Sequence, residues 1–266
     1  MNSIEDLTTF SLAQLREYRV YLSEFPTPSG ELLSRATQAY HIIALRSFFK
    51  WLVKQDVPVL APEKIELPRS EARSMKFLDL EHIERLLNQP ILSSKTGLRD
   101  KAILEVLFST GLRVSELVSL DRDQVDLKQR EFGVIGKGRK PRVVFLSKRA
   151  ADWLDRYLST RPDYWQPVFI RYSRGEPPIT TDGEEMRLTV RSVQRIVDKY
   201  AKKAHLPIKI SPHGIRHSFA TDLLKNGAGL RDVQEMLGHK NIATTQIYTH
   251  VTRGDLRKAH EKFHGG

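Results

Sequence analysis

Between Val57 and Phe77 the chain reads VPVLAPEKIELPRSEARSMKF, a stretch broken by Pro58, Pro62 and Pro68, with mixed charge and no helical period. Proline fixes φ and has no amide hydrogen to donate, so such a run neither continues a helix nor fills a central strand. It reads as a linker. It divides the 266 residues into a small leading domain and a larger following one, with the boundary expected near residues 62–75 and the two domains at 1–65 and 75–266.

The leading part is helical by its spacing. A first helix is expected from the N-cap candidate Ser11 through LAQLREYRVYLSE, with Leu12, Leu15, Tyr18 or Arg19, and Leu22 on one side; FPTPSG then breaks it. A second is expected from about Ser34 to Lys54, carrying Ala39, Ile42, Ile43, Leu45, Phe49 and Leu52, an apolar stripe wide enough for more than one neighbour. Arg35, Arg46, Lys50 and Lys54 sit on that element, either as a solvated face or as phosphate contacts.

In the longer part, helices are expected to begin near Asp79, to lie between Gly97 and Thr110, and to run from Val114 to about Leu120. The strand-like runs EFGVI and RVVFL flank the turn-forming GKGRKP, which reads as a hairpin carrying Lys137, Arg139 and Lys140 near its tip. Further helices follow in LTVRSVQRIVDKYAKKA with Thr189 as cap, in HGIRHSFATDLLKNG, and in GLRDVQEMLGH ending near Gly238; ATTQIYTHV and RGDLRKAHEKF read as a short turn and a terminal helix. The fold class is therefore mainly α, with a small antiparallel sheet.

Charge points to the ligand. The formal net charge is +11, and because the first 70 residues are balanced the whole excess lies beyond them, a field that favours a polyanion. There is no cysteine, which removes disulfides, thiolate nucleophiles, zinc ribbons and iron–sulfur ligation together. No apolar run approaches a membrane span, and MNSIEDLTTF has neither the basic nor the apolar region of a secretory signal, so a cytoplasmic home is expected.

Spacing removes several familiar sites. HGIRH places His213 and His217 at i and i+4, but Gly214 stands where a zinc hydrolase carries its general-base glutamate. GKG at 136–138 lacks the following Ser or Thr and the earlier glycine of a phosphate-binding Walker loop, and no tight carboxylate constellation suggests a two-metal nuclease. Neither a metal nor a cofactor is expected. What remains is a set of cationic and imidazole groups: Arg113 after the Gly111–Leu112 break, Lys137 on the hairpin, His213 with Arg216 on one helical face, and His239. Paired guanidiniums match phosphate oxygens and neutralise charge on a five-coordinate phosphorus, which suits phosphoryl transfer; Tyr248 is the candidate nucleophile. Taken singly, each of these residues also fits an ordinary structural role.

Taken together, STGLRVSELVSL, VIGKGRKPRVVFL, SPHGIRHSFATDLLKNG, VQEMLGHKNIATTQIYTHV and HEKFH resemble the tyrosine recombinases, specifically the Xer type. Order and spacing agree: 24 residues from Arg113 to Lys137, 23 from Arg216 to His239 and 9 from His239 to Tyr248, with the resemblance covering about residues 34–264. It implies a SAM-like helical core-binding domain and a catalytic domain that clamp duplex DNA between them. Arg113 and Arg216 would hold the scissile phosphate, His213 assist proton transfer, His239 support the transition state, Lys137 protonate the leaving oxygen and Tyr248 attack, giving a 3′-phosphotyrosyl enzyme without metal or ATP. Arg35, Arg46, Lys50, Arg139 and Lys140 would touch DNA. Strand exchange implies a dimer to tetramer on DNA, docked through the terminal helix from about Arg253 to His264, and brings in a second recombinase or a DNA translocase as a further partner.

Only about 33 residues precede the part equivalent to the family's ATQAYHIIALRSFFKWL segment, so the core-binding domain is expected to be shortened. Resolution of chromosome or plasmid dimers is the favoured role. A mobile-element integrase, a type IB-like topoisomerase and a non-catalytic DNA-binding protein are the alternatives, the last disfavoured by the intact six-residue set.

Overall fold

The computed structural model describes residues 7–68, 78–136, 141–172 and 182–238. The chain divides into two compact units, Met1–Ser74 and Met75–Gly266.

In the first unit, α1 (Leu12–Glu24) opens on a reciprocal cap: Gln14 donates its N–H to Ser11 Oγ at 3.4 Å, and Ser11 donates its own N–H to Gln14 Oε1 at 2.8 Å. The cap of α2 (Arg35–Val53) is Ser34, whose Oγ accepts the Thr37 N–H at 3.2 Å. Leu15, Leu22, Ile42, Phe49, Leu52 and Ile65 make the core. Leu12, at the first residue of α1, and Ile43, about 100° around the helix from buried Ile42, are exposed rather than part of that core. The proline run also contributes. A 3₁₀ turn at Pro62–Lys64 buries Pro62 and seats Ile65 in this core.

The second unit is built around α4 (Lys95–Thr110), on which Ala102, Ile103, Leu104, Val106 and Leu107 are all fully buried. Its buried charges are paired: Lys101 Nζ meets Glu105 Oε1 at 2.7 Å and donates to the Leu87 carbonyl at 2.7 Å. Leu86 and Leu87 of α3 (Leu80–Leu87) join the same core. Next come the short α5 (Val114–Val118) and an antiparallel sheet ordered β1 (Val125–Asp126), β2 (Glu131–Ile135), β3 (Pro141–Phe145), in which Phe132 pairs with Val125 and Val144 and Ile135 pairs with Pro141. The hairpin tip at 137–140 lies outside the described residues.

Two features differ from expectation. Helix α5 stops at Val118, because the main chain beyond it is drawn into other bonds: Val168 donates to the Leu120 carbonyl at 2.9 Å, and Arg187 to the carbonyls of Val118 and Leu120 at 2.9 and 3.2 Å. Helix α6 (Lys148–Ser159) has no counterpart among the helices expected above. It is capped by Ser147 and buries Ala150, Ala151, Leu154 and Tyr157, largely against α4. Among the described residues, three more helices follow: α7 (Val190–Lys203), α8 (Pro212–Lys225) and α9 (Leu230–Leu237). Among the described residues, no helix is long and apolar enough to cross a membrane.

Candidate active site

Helix α4 ends at Gly111, which adopts the left-handed conformation (φ 59°, ψ 26°) and donates its N–H to the Leu107 carbonyl at 3.1 Å. Only glycine fits there. A Cβ would come within 2.4 Å of Phe219 Cδ1 on α8, in addition to the backbone strain. This reversal projects Arg113 as the N-cap of α5, with its side chain 30% exposed.

Helix α8 begins with Ser211, whose Oγ accepts the Gly214 N–H at 3.4 Å, followed by Pro212, pre-set for a first helical turn. This start places His213 at the surface and Arg216 inside, at only 2% exposure. The Arg216 guanidinium donates to the Gly111 carbonyl through Nη1 and to the Leu237 carbonyl through Nη2, each at 2.6 Å. Both acceptors stand at helix C-termini, where carbonyls lack helical partners and carry partial negative charge, so they suit a buried cation.

Arg113, His213 and Arg216 are thereby brought together. Burial, followed by the positive charges of Arg216 and Arg113, holds the His213 pKa below the ordinary histidine value. Its ring is therefore neutral near pH 7 and able to accept a proton. It meets the His217 ring edge-on, with centroids 4.2 Å apart.

Glu116 was not singled out by its sequence context, yet it anchors this corner. Its carboxylate accepts the Arg113 N–H at 2.8 Å and the Arg113 Nη1 at 2.8 Å. Burial alone would raise its pKa, but hydrogen bonds from Arg142 and Arg113 and the Arg142 charge outweigh that and bring it to about 2. A groove of about 590 Å³ runs along α7 to Ser211 and Pro212, the residues that precede His213; Arg191, Arg195, Lys202 and Lys209 line it together with Asp198, which pairs with Lys202 at 2.8 Å. Arg191 and Arg195 are one turn apart on α7, an i, i+4 spacing that the sequence already contains.

Arg35, Arg46 and Lys50 lie on α2 in the first unit and share one side of it, since 11 and 15 residues are close to whole numbers of turns. Arg35 and Lys50 are exposed and Arg46 is half-buried. Lys137, Arg139, Lys140, His239, Tyr248 and the terminal helix expected from Arg253 lie outside the described residues. No group of three or more metal-ligating side chains occurs among the described residues.

A profile described as the Phage integrase family matches residues 76–254. The chain belongs to that family. Among its relatives, a tyrosine recombinase XerC from Pelotomaculum thermopropionicum is 38% identical over 254 residues, covering 94% of this chain and 80% of the relative. A tyrosine recombinase XerD from Listeria monocytogenes is 41% identical over 233 residues, covering 87% and 77%. In architecture the chain is similar to the XerA recombinase crystal structure, with a TM-score of 0.58, 27% identity and coverage of 96% of this chain and 84% of that one. It also shares the fold of the XerH site-specific recombinase in its post-cleavage complex, with a TM-score of 0.73, 24% identity and coverage of 96% and 73%. This phage integrase family member is accordingly a Xer-type tyrosine recombinase, an enzyme that breaks and rejoins the strands of duplex DNA at specific sites.

Proposed function

We propose that Arg113 and Arg216 hold the scissile phosphate while the Tyr248 phenol oxygen attacks phosphorus. The bond to the 5′ oxygen breaks, leaving a 3′-phosphotyrosyl enzyme and a free 5′-hydroxyl. His213 takes the phenol proton and Lys137 supplies one to the departing oxygen, while His239 supports the charge on the five-coordinate phosphorus. Attack by a 5′-hydroxyl of the partner strand reverses the step. The covalent bond retains the energy of the phosphodiester, so rejoining consumes no ATP.

The observation that carries this reading is the convergence of one buried guanidinium, one partly exposed guanidinium and a neutral imidazole around the turn at Gly111. Guanidiniums are weakly hydrated planar forks that suit phosphate oxygens, and a neutral imidazole is the form that accepts a proton.

In the same reading, residues 1–65 form a core-binding domain whose α2 cations Arg35, Arg46 and Lys50 contact duplex phosphates, and residues 75–266 form the catalytic domain, with Arg139 and Lys140 on the hairpin also touching DNA. Protomers assemble as a dimer to tetramer on DNA through the segment from Arg253 to His264, which carries Leu256, Ala259 and Phe263 at helical spacing beside Arg257, Lys258 and Lys262. A cavity of about 410 Å³ in the second unit, with Phe108, Val144 and Met236 in its lining, offers apolar surface of the kind such a segment requires; its Glu84 and Glu105 are already paired with Arg149. The biological substrate is a chromosome or plasmid dimer and the setting the cytoplasm, with a second recombinase or a translocase as further partner.

Incubation with a nicked suicide duplex tests the chemistry. A protein–DNA adduct should appear on denaturing electrophoresis with the wild type and be absent with Tyr248→Phe, while gel-shift binding stays nearly unchanged. Equal trapping by the variant would remove Tyr248 as nucleophile.

A further inference from the structure

The Glu116 carboxylate is shared. Besides Arg113, it accepts a two-pronged fork from Arg142 on β3, Nη1 to Oε1 at 2.9 Å and Nη2 to Oε2 at 2.8 Å. The third arm of Arg142, Nε, donates to the Met236 carbonyl in the last turn of α9 at 3.2 Å. The side chains are only 9% and 7% exposed, so solvent screens the pair little. One guanidinium thus ties together α5, β3 and α9.

Charge makes this arrangement more than a tether. A lone carboxylate beside Arg113 would cancel its positive charge and leave a neutral pair facing the DNA. With Arg142 present, two cations share one anion and the cluster keeps a net charge of one positive unit. The fork also fixes the plane of the carboxylate, and with it the direction in which Arg113, held at two atoms, can point.

We infer that Arg142 is a positioning residue for strand cleavage: it orients Glu116 and offsets its charge, so that Arg113 is both fixed in direction and left electropositive toward the scissile phosphate. This rests on the assignment of Arg113 to that phosphate.

The test measures single-turnover cleavage of a suicide duplex carrying either the natural scissile phosphate or a methylphosphonate, which is uncharged and places less demand on a neutralising cation. Arg142→Ala should slow cleavage of the natural substrate on the order of 100-fold, the scale expected when a reacting group is misplaced. It should recover on the methylphosphonate by the same factor as Arg113→Ala. The double variant should be no slower than Arg113→Ala alone, because both changes remove one effect. Arg142→Lys, which keeps the charge but not the fork, should fall between wild type and Arg142→Ala while binding DNA normally.

Equal slowing of Arg142→Ala on both substrates, or a double variant whose defects multiply, would overturn the inference and leave Arg142 as a stabiliser of the fold. Should Arg142→Ala not fold, an Arg142→Lys variant as fast as wild type would overturn it as well. Normal cleavage by Arg113→Ala would instead remove the phosphate assignment, and this inference with it.

Discussion

Arg216, on the first turns of α8, donates to the main-chain carbonyl of Gly111 at the end of α4 across 2.6 Å, and Gly111 in turn lies two residues before Arg113. The buried guanidinium therefore fixes the turn from which the second one projects. In the proposed reading, phosphate recognition therefore depends on a backbone conformation as much as on side chains.

Gly111→Ala tests that dependence. The left-handed conformation alone costs a residue with a Cβ about 1–2 kcal/mol, and the close approach of Phe219 adds to it. The expected outcome is a lowered unfolding midpoint together with a loss of covalent adduct larger than the loss of DNA binding. Thermal denaturation and suicide-duplex trapping on the same preparation check it, and a variant with wild-type trapping would show that the turn does not set the site.

His213 predicts the acid side of the pH profile. Its folded pKa is lowered, so the imidazole stays neutral down to a pH below the usual histidine value of about 6.5. Cleavage that uses it as proton acceptor should be undiminished near neutrality and decline as the pH falls through the lowered value. Initial rates at sub-saturating DNA report ionisations of the free enzyme. The expected midpoint lies below the ordinary histidine value, and His213→Gln should remove that limb; a midpoint at or above that value would contradict the neutral-acceptor role.

The cations Arg195 and Lys209 in the groove beside α7 are predicted to contact duplex phosphates, and such contacts would appear in the salt dependence of binding. Each contact contributes a slope of roughly 0.9 to the fall of log affinity with log salt. Replacing Arg195 and Lys209 together by Ala should therefore reduce the slope by roughly 2, weakening binding about equally across sequences. Gel-shift titrations between about 50 and 200 mM salt measure it, and an unchanged slope would separate the groove from the duplex.

Much of this was legible in the sequence where local chemistry decides the outcome. Ser11, Ser34 and Thr189 cap the helices they precede, Gly111 ends α4, and the hairpin strands pair as their alternation implies, with Phe132 and Val134 facing inward. His213 and Arg216 were legible because three residues place them on one helical face. Helix α6 was equally readable, from Ser147 and the spacing of Ala150, Ala151, Leu154 and Tyr157, although the hairpin before it is the stronger local signal. The role of Glu116 was not. Its fork partner Arg142 lies 26 residues away on a strand, and a lone charge on either element looks solvated until the chain brings them together. The burial of Ile65 is similar: a proline run announces a break in helix, and only packing tells that the chain after Pro62 folds back into the first core.

The bond from Arg216 to Leu237 bears on the reach of the proposed nucleophile, Tyr248. Tyr248 lies eleven residues beyond Leu237, a length of chain that extends to at most roughly 40 Å. The near end of that stretch is moored to the guanidinium assigned to grip the phosphate. In the proposed reading, grip and attack share that mooring, so a change that loosens Arg216 would disturb both at once.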